Sequence, residues 1–79
     1  MSDYQQFISE KEKIDFLIDQ GYRIKGVTEN LSGAFVEFEL RVPDPSGHKN
    51  QLEKLHILTA DARKYFSSIL IQQSLKKSV

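Results

Sequence analysis

Few residues of this chain are of types that do acid–base, nucleophilic or metal chemistry, and they are scattered. The histidines are His48 and His56, and cysteine is absent. His48 falls in a loop that also holds proline and glycine, and His56 falls on the polar side of a candidate strand. Neither has the close histidine or carboxylate spacing of a metal site. Without thiols, neither a disulfide framework nor a zinc–thiolate site can form, and a reducing compartment is permitted. Glu37 and Glu39 stand two residues apart, about 7 Å from each other on one strand face. Paired carboxylates at that separation do acid–base work when a cleft encloses them. An open antiparallel sheet provides no cleft, so a solvated pair is expected. Ser67-Ser68 lacks the glycines of a nucleophile elbow. Gly26, Gly33 and Gly47 are too dispersed to cradle a phosphate. The expectation is a protein that is not an enzyme, with no cofactor, no metal and no small-molecule substrate.

The elements that must position these residues belong to one small domain, residues 1–79. A chain this short buries only about 60% of the surface it exposes when unfolded, so its stability is marginal and oligomerisation is a common remedy. Eleven basic and eleven acidic side chains give a formal net charge of zero. Their distribution is uneven. Residues 1–20 hold five acids against two lysines, and residues 60–79 hold Arg63, Lys64, Lys76 and Lys77 against Asp61. Fields of opposite sign at the two ends attract each other, within a chain or across a dimer. The less favoured reading is a basic helix that meets an acidic partner, because four basic residues on one helix are common. No apolar run approaches the roughly 20 residues of a membrane span, and the acidic first 20 residues do not read as a secretory signal. A cytoplasmic location without membrane contact is expected.

Residues 34–43 organise the fold. Val36, Phe38, Leu40 and Val42 recur at period two, with Glu37, Glu39 and Arg41 between them. That pattern is a half-buried strand. Before it, residues 3–20 read as a helix, with Tyr4, Phe7, Ile8, Ile14 and Ile18 on one stripe and Lys11 at its edge. Gly21 stands where a helix-terminating glycine belongs. Residues 22–29 read as a strand whose Tyr22, Ile24, Gly26 and Thr28 share one face. A three-residue turn, Leu31-Ser32-Gly33, joins it to the central strand, with positive φ at Gly33. That register sets Lys25 opposite Glu39, and Arg23 opposite Arg41, a repulsive pair that calls for an acidic neighbour.

Asp44-Pro45-Ser46-Gly47 carries type I turn chemistry. Residues 51–58 fit a third strand, with Leu55 and Ile57 inward and Lys54 and His56 outward. They also fit the start of a long helix from Asn50. The strand is preferred because Thr59 makes a fresh N-cap with Asp61 in the first turn, and because a two-stranded sheet is marginal. A final helix then spans residues 60–76, with Ala62, Phe66, Ile69, Leu70 and Gln73 inward. The expected fold class is α+β: a three-stranded antiparallel meander covered on one face by two helices, in the order α-β-β-β-α. The alternative is α-β-β-α. The core is expected from Phe7, Ile14, Ile18, Ile24, Val36, Phe38, Leu40, Ile57, Phe66 and Ile69.

The α-β-β-β-α order is also that of double-stranded-RNA-binding domains. The similarity stops at element order. Those domains carry a lysine-rich start to the last helix and a Gly-Pro-x-His-type loop, and neither is found here. Arg63, Lys64, Lys76 and Lys77 are the candidate phosphate contacts for a weak nucleic-acid binder, but the neutral net charge disfavours that function. Three large apolar residues, Phe16, Phe35 and Ile71, point away from the expected core. They make a protein-interaction module the preferred expectation: a regulator, inhibitor or assembly subunit that forms a homodimer or binds another protein.

Overall fold

The computed structural model describes residues 2–77, and side chains within 4–75. Five elements follow one another: α1 (Ser2–Asp19), β1 (Tyr22–Asn30), β2 (Gly33–Leu40), β3 (Leu52–Ile57) and α2 (Ala60–Lys77). The strands form one antiparallel sheet in the order β1-β2-β3. The fold is α+β with α-β-β-β-α order, and residues 51–58 hold a strand rather than the start of a long helix. Ala34, Val36, Phe38 and Leu40 form the buried face of β2. Ile14 and Leu17 of α1 and Ala62 and Phe66 of α2 complete the same core.

Local signals end and start the helices where the sequence places them. Gly21 takes φ +98°, and its N–H donates to the Ile18 carbonyl at 3.1 Å, which closes α1. Thr59 caps α2 by accepting from the Ala62 N–H at 3.2 Å. The Asp44–Gly47 turn closes with a 3.0 Å bond from the Gly47 N–H to the Asp44 carbonyl.

Three expectations need correction. The first is the phase of α1. Its buried side chains are Glu10, Ile14 and Leu17, with Phe7 packed beside them. Tyr4 and Ile18 lie outside, at 67% and 36% exposure. The cause is Glu10, a residue that hydrophobicity assigns to the surface. Its Oε2 accepts from the Leu58 N–H at 2.7 Å. Its Oε1 accepts from the Thr59 N–H at 3.2 Å and the Thr59 hydroxyl at 2.6 Å. A buried carboxylate is tolerated when it is hydrogen-bonded this fully, and it turns the helix to face the β3–α2 junction.

The second is the hairpin register. Asn30 pairs with Gly33 and Val27 with Val36, whereas Ile24 pairs with Phe38 and Tyr22 with Leu40. Lys25 is the extra residue of a β-bulge between them. Tyr22 and Ile24 therefore face the core on one side of the bulge, and Val27 on the other. Lys25 does not oppose Glu39, and Arg23 does not oppose Arg41. Arg23 instead opposes Glu39, with Nη2 and Oε1 3.5 Å apart. Positive φ at Gly33 is found, at +123°.

The third is the end of β2 at Leu40 rather than Pro43, which leaves Val42 75% exposed. The Arg41 N–H donates to the Gly21 carbonyl at 3.0 Å, so the chain after β2 stays tied to the start of β1.

Candidate functional site

The structure keeps apart the residues whose types suggest chemistry. His56 lies on the outer face of the sheet, stacked on Phe35 with ring centroids 4.3 Å apart and planes 5° from parallel. Its Nε2 is 2.6 Å from the Ser32 carbonyl oxygen, so that nitrogen carries the hydrogen. His56 thus ties β3 to the hairpin turn and half-covers Phe35. Glu37 faces Lys54 across the β2–β3 pair. His48 lies in the loop that Asp44 organises. The Asp44 carboxylate accepts from the Ser46 hydroxyl at 2.8 Å and from the Lys49 and His48 N–H groups at 3.0 and 3.1 Å. These bonds, led by the Ser46 hydroxyl, hold its pKa below the usual 3.8. Among the described residues no group of three or more His, Asp or Glu side chains is placed to hold a metal ion.

A half-open groove of about 630 Å³ lies where the edge of β1 meets the C-terminal half of α2. Ile18, Ile24, Ile69 and Leu70 give it an apolar floor. Arg23, Lys25 and Arg41 stand on its rim. Lys25 and Arg41 are exposed, and among the described residues neither has an ion-pair partner. Gln73 seals the backbone at this edge: its Oε1 accepts from the Ile24 N–H at 2.9 Å and its Nε2 donates to the Ile24 carbonyl at 3.2 Å. An incoming strand cannot pair with the edge at Ile24. The groove therefore offers apolar surface and charge, not a backbone template.

A small polar network closes the groove on the α1 side. Asp15 accepts from the Tyr65 hydroxyl and pairs with Lys11 at 2.8 Å. The Lys11 ammonium also stands 5.0 Å from the centre of the Tyr65 ring. Burial acts to raise the Asp15 pKa, but the bonds from Lys11 and Tyr65 outweigh it and hold the carboxyl below 3.8. The same bond to Asp15, with burial and the carboxylate charge, pushes the Tyr65 phenol above 10.0. The Lys11 pKa is raised by its bond to Asp15. This network fixes α1 against α2 and takes up the charge of Asp15.

Next to the groove, α1 presents Glu12, Phe16 and Asp19 at positions i, i+4 and i+7, one outward stripe of the helix. All three are exposed, Phe16 by 61%. A shallow hollow lined by Glu12, Asp15, Phe16, Ile18 and Asp19 marks the stripe. Ile18 lines both this hollow and the groove. Phe16 also borders a hollow toward β3, beside Leu17 and Leu55.

Ile71 is 62% exposed, on the side of α2 away from the core, with Leu75 one turn on at 65%. Phe16, Phe35 and Ile71 thus lie on three separate surfaces rather than in one patch. Of the candidate phosphate contacts, Arg63 is paired with Glu29 at 2.6 Å, and Lys64 is exposed. The side chains of Lys76 and Lys77 fall outside the described residues.

Sequence reading set Arg23 and Lys25 on one face with Arg41, but as strand partners in the wrong register, and it missed the groove that the three residues border. The excess of positive charge at Arg23 and Arg41 was a usable signal. The bulge that brings Lys25 to the same rim was hinted only by Gly26 within a strand. No family model, curated protein or solved structure matches this chain.

Proposed function

We propose that this chain is a small, cytoplasmic, non-enzymatic protein-interaction module, a regulator, inhibitor or assembly subunit, that self-associates as a homodimer. The observation that carries the reading is Phe16. It is a large aromatic side chain held 61% exposed on a well-packed helix, between two shallow hollows. Aromatic side chains, Phe among them, are enriched at protein–protein interfaces relative to the rest of the surface. Ile71 with Leu75, and Phe35 on the sheet, supply further apolar surface for a second partner. No helix among the described residues is long and apolar enough to cross a membrane, which is compatible with this reading.

The test is subunit capture with purified protein. A tagged copy mixed with an untagged one retains it on an affinity resin, and Phe16→Asp in both copies abolishes or weakens the retention, whereas Ile71→Asp leaves it unchanged. Parent-like retention by the Phe16→Asp copies refutes Phe16 as the anchor of the contact. No retention of the parent at high concentration refutes self-association.

A further inference from the structure

The groove and the stripe on α1 have complementary chemistry. The groove has an apolar floor and two unpaired cations, Lys25 and Arg41, on its rim. The stripe has an exposed aromatic ring flanked by Glu12 and Asp19. Among the described residues neither acid has an ion-pair partner. Asp15, the acid that lines the groove itself, is already held by Lys11 and Tyr65. The cations on the rim are therefore not neutralised from within.

We propose that the groove receives helix α1 of a second copy of this chain. Phe16 of each copy enters over Ile18 and Ile69 of the other, and Glu12 and Asp19 meet Lys25 and Arg41. The inference rests on the self-association proposed above and names the surfaces that make it. Stripe and groove adjoin along Ile18, which lines both. A twofold axis near Ile18 sets each stripe over the opposite groove, so one self-complementary patch is used twice. The occupant is a helix rather than a strand, because Gln73 already takes the backbone edge at Ile24. Rim charges of this kind set register and association rate, and their contribution is screened by salt.

A charge exchange tests it. One variant carries Glu12→Lys and Asp19→Lys, and the other carries Lys25→Glu and Arg41→Glu. All four sites are on the surface, and thermal melts of each variant confirm folding. Each variant alone is expected to self-associate at least tenfold more weakly than the parent in sedimentation equilibrium. An equimolar mixture recovers association, because both contacts of the mixed dimer then join opposite charges. A single chain with all four changes recovers it as well, which gives an independent check should one variant prove unstable. If the parent associates but the two variants do so equally tightly, or the mixture shows no recovery, the docking is refuted and self-association stands. A monomeric parent overturns both.

Discussion

Replacing Glu10 by alanine removes the carboxylate that joins α1 to the start of α2. Three donors lose their acceptor: the Leu58 and Thr59 N–H groups and the Thr59 hydroxyl. Hydrogen bonds to a charged group contribute about 1.5–3 kcal/mol each, and these three are part-buried. The hydroxyl can turn to another acceptor, so the two amides dominate, and the expected loss is about 3–5 kcal/mol. A domain of this length has only about 4–12 kcal/mol of stability in total, so Glu10→Ala stands close to unfolding. Glu10→Gln keeps the size and one acceptor oxygen but turns an amide NH₂ toward a donor, and is expected to lose about 1–3 kcal/mol. Urea titration followed by circular dichroism reads both. With a slope near 1 kcal/mol per molar urea, the alanine midpoint falls by about 3 M or more. Faster amide exchange at Leu58 and Thr59 locates the damage. An alanine variant within about 0.5 kcal/mol of the parent, inside the usual scatter of surface substitutions, refutes the claim that this carboxylate clamps the two helices.

Other positions give equally direct outcomes. Gly33 has φ +123°, and a Cβ there meets the Ile57 carbonyl oxygen at 2.8 Å, so Gly33→Ala is expected to lose about 1–3 kcal/mol in the same urea assay. Gln73→Ala frees the β1 edge, and the Ile24 amide is expected to exchange faster, with about 1–2 kcal/mol of stability lost; unchanged exchange contradicts the edge seal. The Asp15 pKa lies below 3.8 in the folded chain, so its stabilisation is complete above that pH and is lost as pH falls through the lowered value. Tyr65 is shifted upward, so its contribution is complete below pH 10.0 and is lost as pH rises through the raised value. Asp15→Asn removes the first effect and reduces the second, which flattens the acid limb of a stability–pH profile and lets the Tyr65 phenolate appear at lower pH in ultraviolet titration. A parent-like titration contradicts the bond between them.

The parts of the fold legible in the sequence are those carried by periodicity and local chemistry. The alternation from Val36 to Leu40, the Gly21 stop, the Thr59 cap and the Asp44–Gly47 turn each stand where their residues imply. The face of α1 was not legible, because hydrophobicity places Glu10 in water and only the donors on a distant turn make its burial favourable. The register was not legible either. A bulge at Lys25 resets the alternation, so pairing inferred from one end of the hairpin fails at the other. The exposure of Phe16 and Ile71 was legible, since neither phase of the helices brings them inward. The groove was not, because it forms between the edge of β1 and the C-terminal half of α2, a packing that strand pairing alone does not reveal.

The central claim, that this chain acts by protein–protein contact beginning with its own copy, is tested most directly by the mass of the purified protein in solution. Sedimentation equilibrium across a wide concentration range is predicted to show a reversible rise from the 9.1 kDa of one chain to twice that mass, shifting to higher concentration as salt is added. A mass that stays at one chain up to the highest attainable concentration contradicts it.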